Sequence, residues 1–197
     1  KKGVKNLFWV DYGYIQFFNN KHTLKTPADF QGLTMRTFSS GDAETLKALG
    51  AAPTVMSSSE MYMALQRGTV DGATTGMPAA VSRKVHEVQK YMTMANYTTA
   101  QFVVQGNLDW WNGLSAELKD AVVKAGLDAE EWIRGAIAES ENAAEKVIRE
   151  AGVEIYSPTA EEREAFVKST EPVRKTFAEK TGEVGQKLID MAIAVSK

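Results

Sequence analysis

Residues 33–73, LTMRTFSSGDAETLKALGAAPTVMSSSEMYMALQRGTVDGA, decide the fold class. Positions 33–38 have strand composition, and Ser39 or Ser40 is placed to cap a helix over 42–49 that Gly50 closes. Thr54-Val55-Met56 is a second short strand. Ser57-x-x-Glu60 is a capping box opening a helix that runs to Arg67 and stops at Gly68, and 69–73 supplies a third strand. Strands alternating with helices need crossover connections, so the pattern predicts an α/β fold with a mostly parallel sheet. Ligands in such folds sit at the carboxyl ends of the strands, where helix N-termini present N–H groups.

The same grammar continues outward. Leu7-Phe8-Trp9-Val10 is an apolar run of strand length, 12–18 is a second strand, and Asn19-Asn20-Lys21 is a turn. Thr26 and Pro27 open a short helical turn that Gly32 ends. Pro78 opens a helix over 79–90, followed by strands over 91–99 and 101–105. Ser115 caps a helix that reaches about residue 151, with one kink expected near Gly126 or Gly135. Its apolar residues, among them Leu118, Trp132 and Ile148, recur at helical spacing over a length that one small lobe cannot cover, so the helix is expected to bridge two. A final strand spans 152–156, and Thr159-x-x-Glu162 is a capping box before C-terminal helices. A chain that opens inside a core strand reads as a fragment, with an exposed sheet edge that invites self-association.

Composition excludes several functions. The 197 residues carry a net charge of −2, which leaves no electrostatic footprint for nucleic acid. Hydrophobic residues at 44 % and charged residues at 24 % describe a chain with a core rather than a disordered one. Cysteine is absent, which removes disulfides, thiolate metal sites and cysteine nucleophiles. No apolar run approaches the roughly 20 residues of a membrane-spanning helix. His22 lies in a turn and His86 among charged residues, Ser57-Ser58-Ser59 lacks a nucleophile elbow, and 71–76 lacks the lysine of a phosphate loop. No catalytic residue, cofactor or metal site is therefore assigned.

Arg36 stands apart, near the carboxyl end of an apolar strand and before a helix start. A guanidinium there suits a carboxylate, and the helix dipole favours an anion. The alternative is an arginine tied to an internal Asp or Glu, and residue chemistry alone leaves the two readings level. The first predicts that the unliganded fold survives loss of Arg36; the second predicts the reverse.

Three segments carry a resemblance. Residues 26–36, TPADFQGLTMR, are similar to the family segment "tPeDlkGlkiR". Residues 49–72 are similar to "lGa.pv.m..sEvY.ALq.GvvDG", and Glu87-Val88-Gln89-Lys90-Tyr91 to "EVqKy". The chain thereby resembles, over nearly its whole length, the DctP-type solute-binding proteins of tripartite ATP-independent periplasmic (TRAP) transporters. The resemblance implies a two-lobed periplasmic-binding-protein-like fold with a long bridging helix, the first lobe incomplete. Residues 1–11 and 101–140 would be remnants of lobe I, and 12–100 and 141–197 would form lobe II. It implies a periplasmic protein, not an enzyme, that binds a small organic acid and delivers it to the TRAP permease membrane subunits.

Carried over by position, the family's carboxylate-clamping arginine corresponds to Arg36. A second family arginine falls at Ile15, beside Gln16; a family asparagine falls at Thr75, and an aromatic at Ser58. Arg36, Thr75, Ser58, Gln16, Ser39 and Tyr14 are thus the expected ligand-binding set. Loss of the second arginine argues against a ligand with two carboxylates both held by guanidinium groups. The alternative function is an α/β enzyme, or a ligand-sensing module, acting on a small carboxylate.

Overall fold

The computed structural model describes residues 3–195; the part of the lobe assignment that falls on Lys1, Lys2, Ser196 and Lys197 lies outside the described residues. Six strands form one mixed sheet: β1 (Val4–Asn19), β2 (Thr34–Thr37), β3 (Ala52–Val55), β4 (Gly72–Gly76), β5 (Tyr91–Asn107) and β6 (Glu154–Tyr156). Their spatial order is β3-β2-β4-β1-β5-β6. β2 runs parallel to β3 and β4, and β5 parallel to β6, as crossover connections require. β1 is antiparallel to both β4 and β5, and its pairing with β5 is the longest in the sheet.

The helices follow the capping chemistry. α1 (Ser40–Leu49) starts where Ser39 Oγ accepts the Asp42 N–H at 3.1 Å and ends on left-handed Gly50. α2 (Ser58–Gln66) opens with the Ser57–Glu60 box, in which Glu60 accepts from both the hydroxyl and the N–H of Ser57. α4 (Leu108–Gly113) holds Trp110 and Trp111 and is capped by Asn107, whose side chain accepts from the Asp109 and Trp110 N–H groups. α5 (Ala116–Glu150) is capped by Ser115 and runs without interruption for 35 residues through Gly126 and Gly135. At Gly126 the missing side chain makes room for Phe8 of β1. α6 (Ala160–Val195) follows the second capping box and turns at Gly182 (φ 65°).

Four expectations shift. The two opening strands are one, β1, because register slips around Gly13 (φ 94°) let the pairing with β5 resume. Residues 91–105 are likewise continuous within β5, bent at Asn96 (φ 48°). The strand foreseen at 69–73 begins at Gly72, since Thr69 closes α2 through Ala64 O and Asp71 bonds back to Thr34. The helix foreseen over 79–90 is α3 (Met77–Ser82), stopped by left-handed Lys84 and followed by a single 3-10 turn that sets Val85 in the core.

Two apolar clusters flank the sheet. One gathers Phe18, Met61, Leu65, Val85, Met92 and Ile148; the other gathers Phe17, Leu24, Phe30, Met35, Leu46 and Phe166. Phe17 and Phe18 are adjacent in β1 and face opposite sides, the period-2 signature of a strand with helices on both faces. Among the described residues, neither cluster draws on 3–14 or 98–143, and Tyr97 packs on the edge of the second. In that region Trp9, Phe102, Leu127 and Trp132 are 49 %, 57 %, 60 % and 72 % exposed.

Asp71 pins the turn into β4. Its carboxylate accepts the Thr34 N–H at 2.9 Å and meets Lys21 Nζ at 3.1 Å. Burial pushes its pKa up, but the Thr34 N–H and the Lys21 ammonium outweigh this and hold it below the usual value. A depressed carboxylate contributes stability above its unfolded pKa, near 4, and loses it as the pH falls through the folded value. Asp71→Asn is expected to cost about 1–2 kcal/mol at pH 7. That difference should shrink as the pH falls below about 4 and through the folded value, in urea titrations of parent and variant.

Candidate functional site

Arg36 lies on β2 between two neighbours, paired with Thr54 of β3 and Ala73 of β4. The side chain is 2 % exposed. Nε and Nη2 both donate to Met56 O, at 3.1 and 2.9 Å. Nη1 donates to Thr74 O at 3.0 Å, and Nη2 also to Ser58 Oγ at 3.2 Å. All of these acceptors are neutral. Among the described residues no carboxylate forms an ion pair with Arg36. Burial lowers its pKa, with Tyr12 and Asp42 opposing and Arg83 adding to the fall.

Of the five guanidinium hydrogens four have acceptors, and the fifth, on Nη1, has none among the described residues. The Ser58 hydroxyl receives Nη2–H and keeps its own hydrogen to donate. One N–H of Arg36 and the O–H of Ser58 are the donor hydrogens of this pair without an acceptor among the described residues. The fork expected from the sequence is thus partly engaged by main-chain carbonyls, which fix its orientation.

The other expected residues divide. Thr75 is buried beside Thr74, and its hydroxyl lies 3.4 Å from Tyr12 OH. Gln16, paired with Thr75 across β1 and β4, is fully buried, but its amide is engaged at both ends: Nε2 donates to Asn96 Oδ1 at 2.6 Å, and Oε1 accepts the Asn96 N–H at 3.0 Å. Gln16 thereby holds the left-handed bend of β5, and one of its two Nε2 hydrogens has no acceptor among the described residues. Ser39 caps α1. Tyr14 is not brought to the cluster; the residue is 45 % exposed and its N–H donates to Glu141. The slip at Gly13 breaks the alternation along β1, and Tyr12 is the tyrosine that reaches Thr75. Ile15 is buried opposite Gly76.

A second cluster sits behind the first and was not foreseen. Asp42, 7 % exposed in the first turn of α1, accepts hydroxyl hydrogens from Thr37, from Thr74 at 2.6 Å and from Tyr97 at 2.5 Å. Burial first, and then the Asp42 charge, push the Tyr97 pKa well above its ordinary value. Tyr97 also stacks on Phe17, ring centroids 4.2 Å apart. Thr74 joins the clusters, its carbonyl to Arg36 and its hydroxyl to Asp42. The only sequence signal for Asp42 was its place three residues after the cap, which reads as helix chemistry. A cavity of about 970 Å³ opens beside Ser39, Asp42, Asn96, Phe38, Phe166 and Phe177. Among the described residues no group of His, Asp or Glu could hold a metal ion, and no helix is long and apolar enough to cross a membrane.

Residues 1–181 match the family described as bacterial extracellular solute-binding protein, family 7, DctP. A C4-dicarboxylate-binding periplasmic protein DctP of Rhodobacter capsulatus is 36 % identical over 183 residues, which is 92 % of this chain and 55 % of that protein. A TRAP periplasmic solute-binding protein of Shewanella oneidensis with bound succinate superposes with a TM-score of 0.91 at 27 % identity, covering 100 % of this chain and 64 % of that one. A TRAP periplasmic solute-binding protein from a Sulfitobacter species with bound β-D-galacturonate gives 0.89 at 26 % identity, over 96 % and 62 %. The chain spans a little over half the length of the Rhodobacter protein and under two thirds of the two structures. With a mixed α/β sheet, a long helix and this match over most of its length, the chain belongs to the DctP family of extracellular solute-binding proteins, a family of binding proteins rather than enzymes.

Proposed function

We propose that this chain contributes one wall of a periplasmic receptor that captures a small organic acid and presents it to a TRAP-type membrane permease. The observation that carries the reading is Arg36, a buried guanidinium with neutral hydrogen-bond partners and one N–H without an acceptor among the described residues. Burying an unpaired charge is costly, and a ligand carboxylate supplies the missing counter-charge in a site from which closure excludes water. Arg36 and Ser58 hold the acid, while Thr75 and Tyr12 lie where a hydroxyl or carbonyl of the ligand would be read. The relatives with bound succinate and galacturonate support an acid as the solute class.

We further infer two lobes. Residues 15–95 and 144–166 supply both buried clusters and form one. The β1–β5 ribbon over 4–11 and 101–107, with the first part of α5, belongs to the other; the Trp9 N–H donates to Glu130 within it. The exposed apolar side chains there are the face on which the rest of that lobe, or a second copy of this chain, would pack. The long α5 links the two, and closure about such a link is what a permease would recognise.

The test is calorimetric titration of the intact protein with D-galacturonate, succinate and simple monocarboxylates, alongside mass spectrometry of any acid that co-purifies. Reversible binding of at least one acid, returned chemically unchanged, is expected. Turnover of the acid, or binding only of uncharged solutes, would contradict the reading.

A further inference from the structure

We propose that the cavity between α1, the bend of β5 and α6 is a second ligand site, one that takes a medium-chain carboxylate, an apolar chain with a single anionic head. The cavity measures about 970 Å³, near the upper end of the range of small-molecule sites. α6 supplies much of its wall, because it turns at Gly182 and its last part adds Leu188 and Ile193 to the lining that Phe166 and Phe177 begin. These side chains are not used up by packing within the chain: Phe177 is 44 % exposed and Leu188 53 %, which leaves apolar surface to cover a ligand. The charged residues of the lining are Arg163, Arg174 and Asp42. Asp42 is engaged by three hydroxyl groups, and among the described residues neither arginine forms an ion pair. Arg163 is anchored on β5, donating to Ala95 O at 2.6 Å and to Met94 O at 3.4 Å. Arg174, half-buried, makes one contact, from Nη2 to Val167 O at 3.3 Å, so four of its five guanidinium hydrogens have no acceptor among the described residues. A guanidinium with so few partners beside apolar surface complements a carboxylate that carries an apolar chain. Arg174 holds the head, Arg163 adds to the positive field, and the chain lies along the phenylalanines. Arg36 and Ser58 do not line this cavity, so the site is separate from the one that holds the solute and does not depend on that reading.

Decanoate and decanol share a chain and differ in the charge of the head, while hexanoate keeps the head and shortens the chain. Calorimetric titration of the intact protein with each, below the concentration at which decanoate forms micelles, is expected to show one saturable decanoate site. Decanol should bind it at least fivefold more weakly, and hexanoate at least tenfold more weakly, because the buried methylenes carry much of the affinity. Arg174→Gln should bring decanoate and decanol within twofold of each other. Val173→Trp, which places an indole in the cavity that Val173 lines, should weaken decanoate at least tenfold. Arg36→Ala should leave decanoate within twofold of the parent. Absence of saturable decanoate binding overturns the inference, as does decanol binding as tightly as decanoate, or a folded Arg174→Gln or Val173→Trp protein that keeps the parent's values. Loss of decanoate binding on Arg36→Ala places the fatty acid in the solute site and rejects the second site while supporting the first. If Val173→Trp fails to fold, the decanoate-to-decanol ratio of parent and Arg174→Gln decides.

Discussion

Gly72→Ala is expected to cost at least about 3 kcal/mol, at the upper end of what overpacking a close-packed interior costs. Gly72 is paired with Asn19 of β1 on one side and Met35 of β2 on the other, in the middle of the sheet. A Cβ there would overlap the carbonyl oxygen of Phe18 and lie 2.6 Å from Met35 Sδ and 2.9 Å from Asn19 Cβ. Met35 can adjust, but the Phe18 carbonyl belongs to the backbone of β1, so relief requires opening the strand pairing. With total stabilities of about 5–15 kcal/mol, a loss of that size leaves much of the protein unfolded at modest temperature. Gly113→Ala is the control, since a Cβ there meets open space. Urea unfolding should separate the two variants widely. A Gly72→Ala protein as stable as the parent would refute the β1–β4–β2 arrangement on which the site is built.

Arg36→Ala should weaken acid binding at least about thirtyfold, because truncating one partner of a buried, charge-assisted contact costs about 2–5 kcal/mol and 1.4 kcal/mol is tenfold. The companion expectation is that the unliganded fold survives this change, and the structure adds a cost to it. Met56 O and Thr74 O both lose their Arg36 donors, so a stability loss of about 1–3 kcal/mol should accompany the loss of affinity. Arg36→Lys should restore part of each, since an ammonium reaches one acceptor well but cannot span Met56, Thr74 and Ser58 from a planar fork. Titrations and thermal melts of both variants separate the two effects. Parent-like affinity in a destabilised Arg36→Ala protein would reduce the residue to a brace between β2, β4 and the start of α2.

What was legible in the sequence was what local chemistry decides. Ser39, Ser57, Ser115 and Thr159 all mark true helix starts, because a cap and its partner lie within three residues of one another. Arg36 was legible because a lone charge in an apolar strand stands out. The lengths of β1 and β5 were not, since their continuity depends on bulges that only the pairing partner reveals. The helix after Pro78 was overextended because nothing local announces that Lys84 turns left-handed and Val85 enters the core. The pairing of Gln16 with Asn96 was not legible either, since the two are 80 residues apart. Asp42 was hidden for the same reason, with hydroxyls arriving from 32 and 55 residues along the chain.

The most direct measurement is a crystal structure of the intact protein with a bound monocarboxylate. A carboxylate oxygen about 2.7–2.9 Å from Arg36 Nη1, the range of charge-assisted contacts, is expected, with Ser58 donating to the same group. Met56 and Thr74 should keep their bonds to the guanidinium. An acid held by other residues, with Arg36 retaining only its contacts to Met56, Thr74 and Ser58, would contradict the clamp.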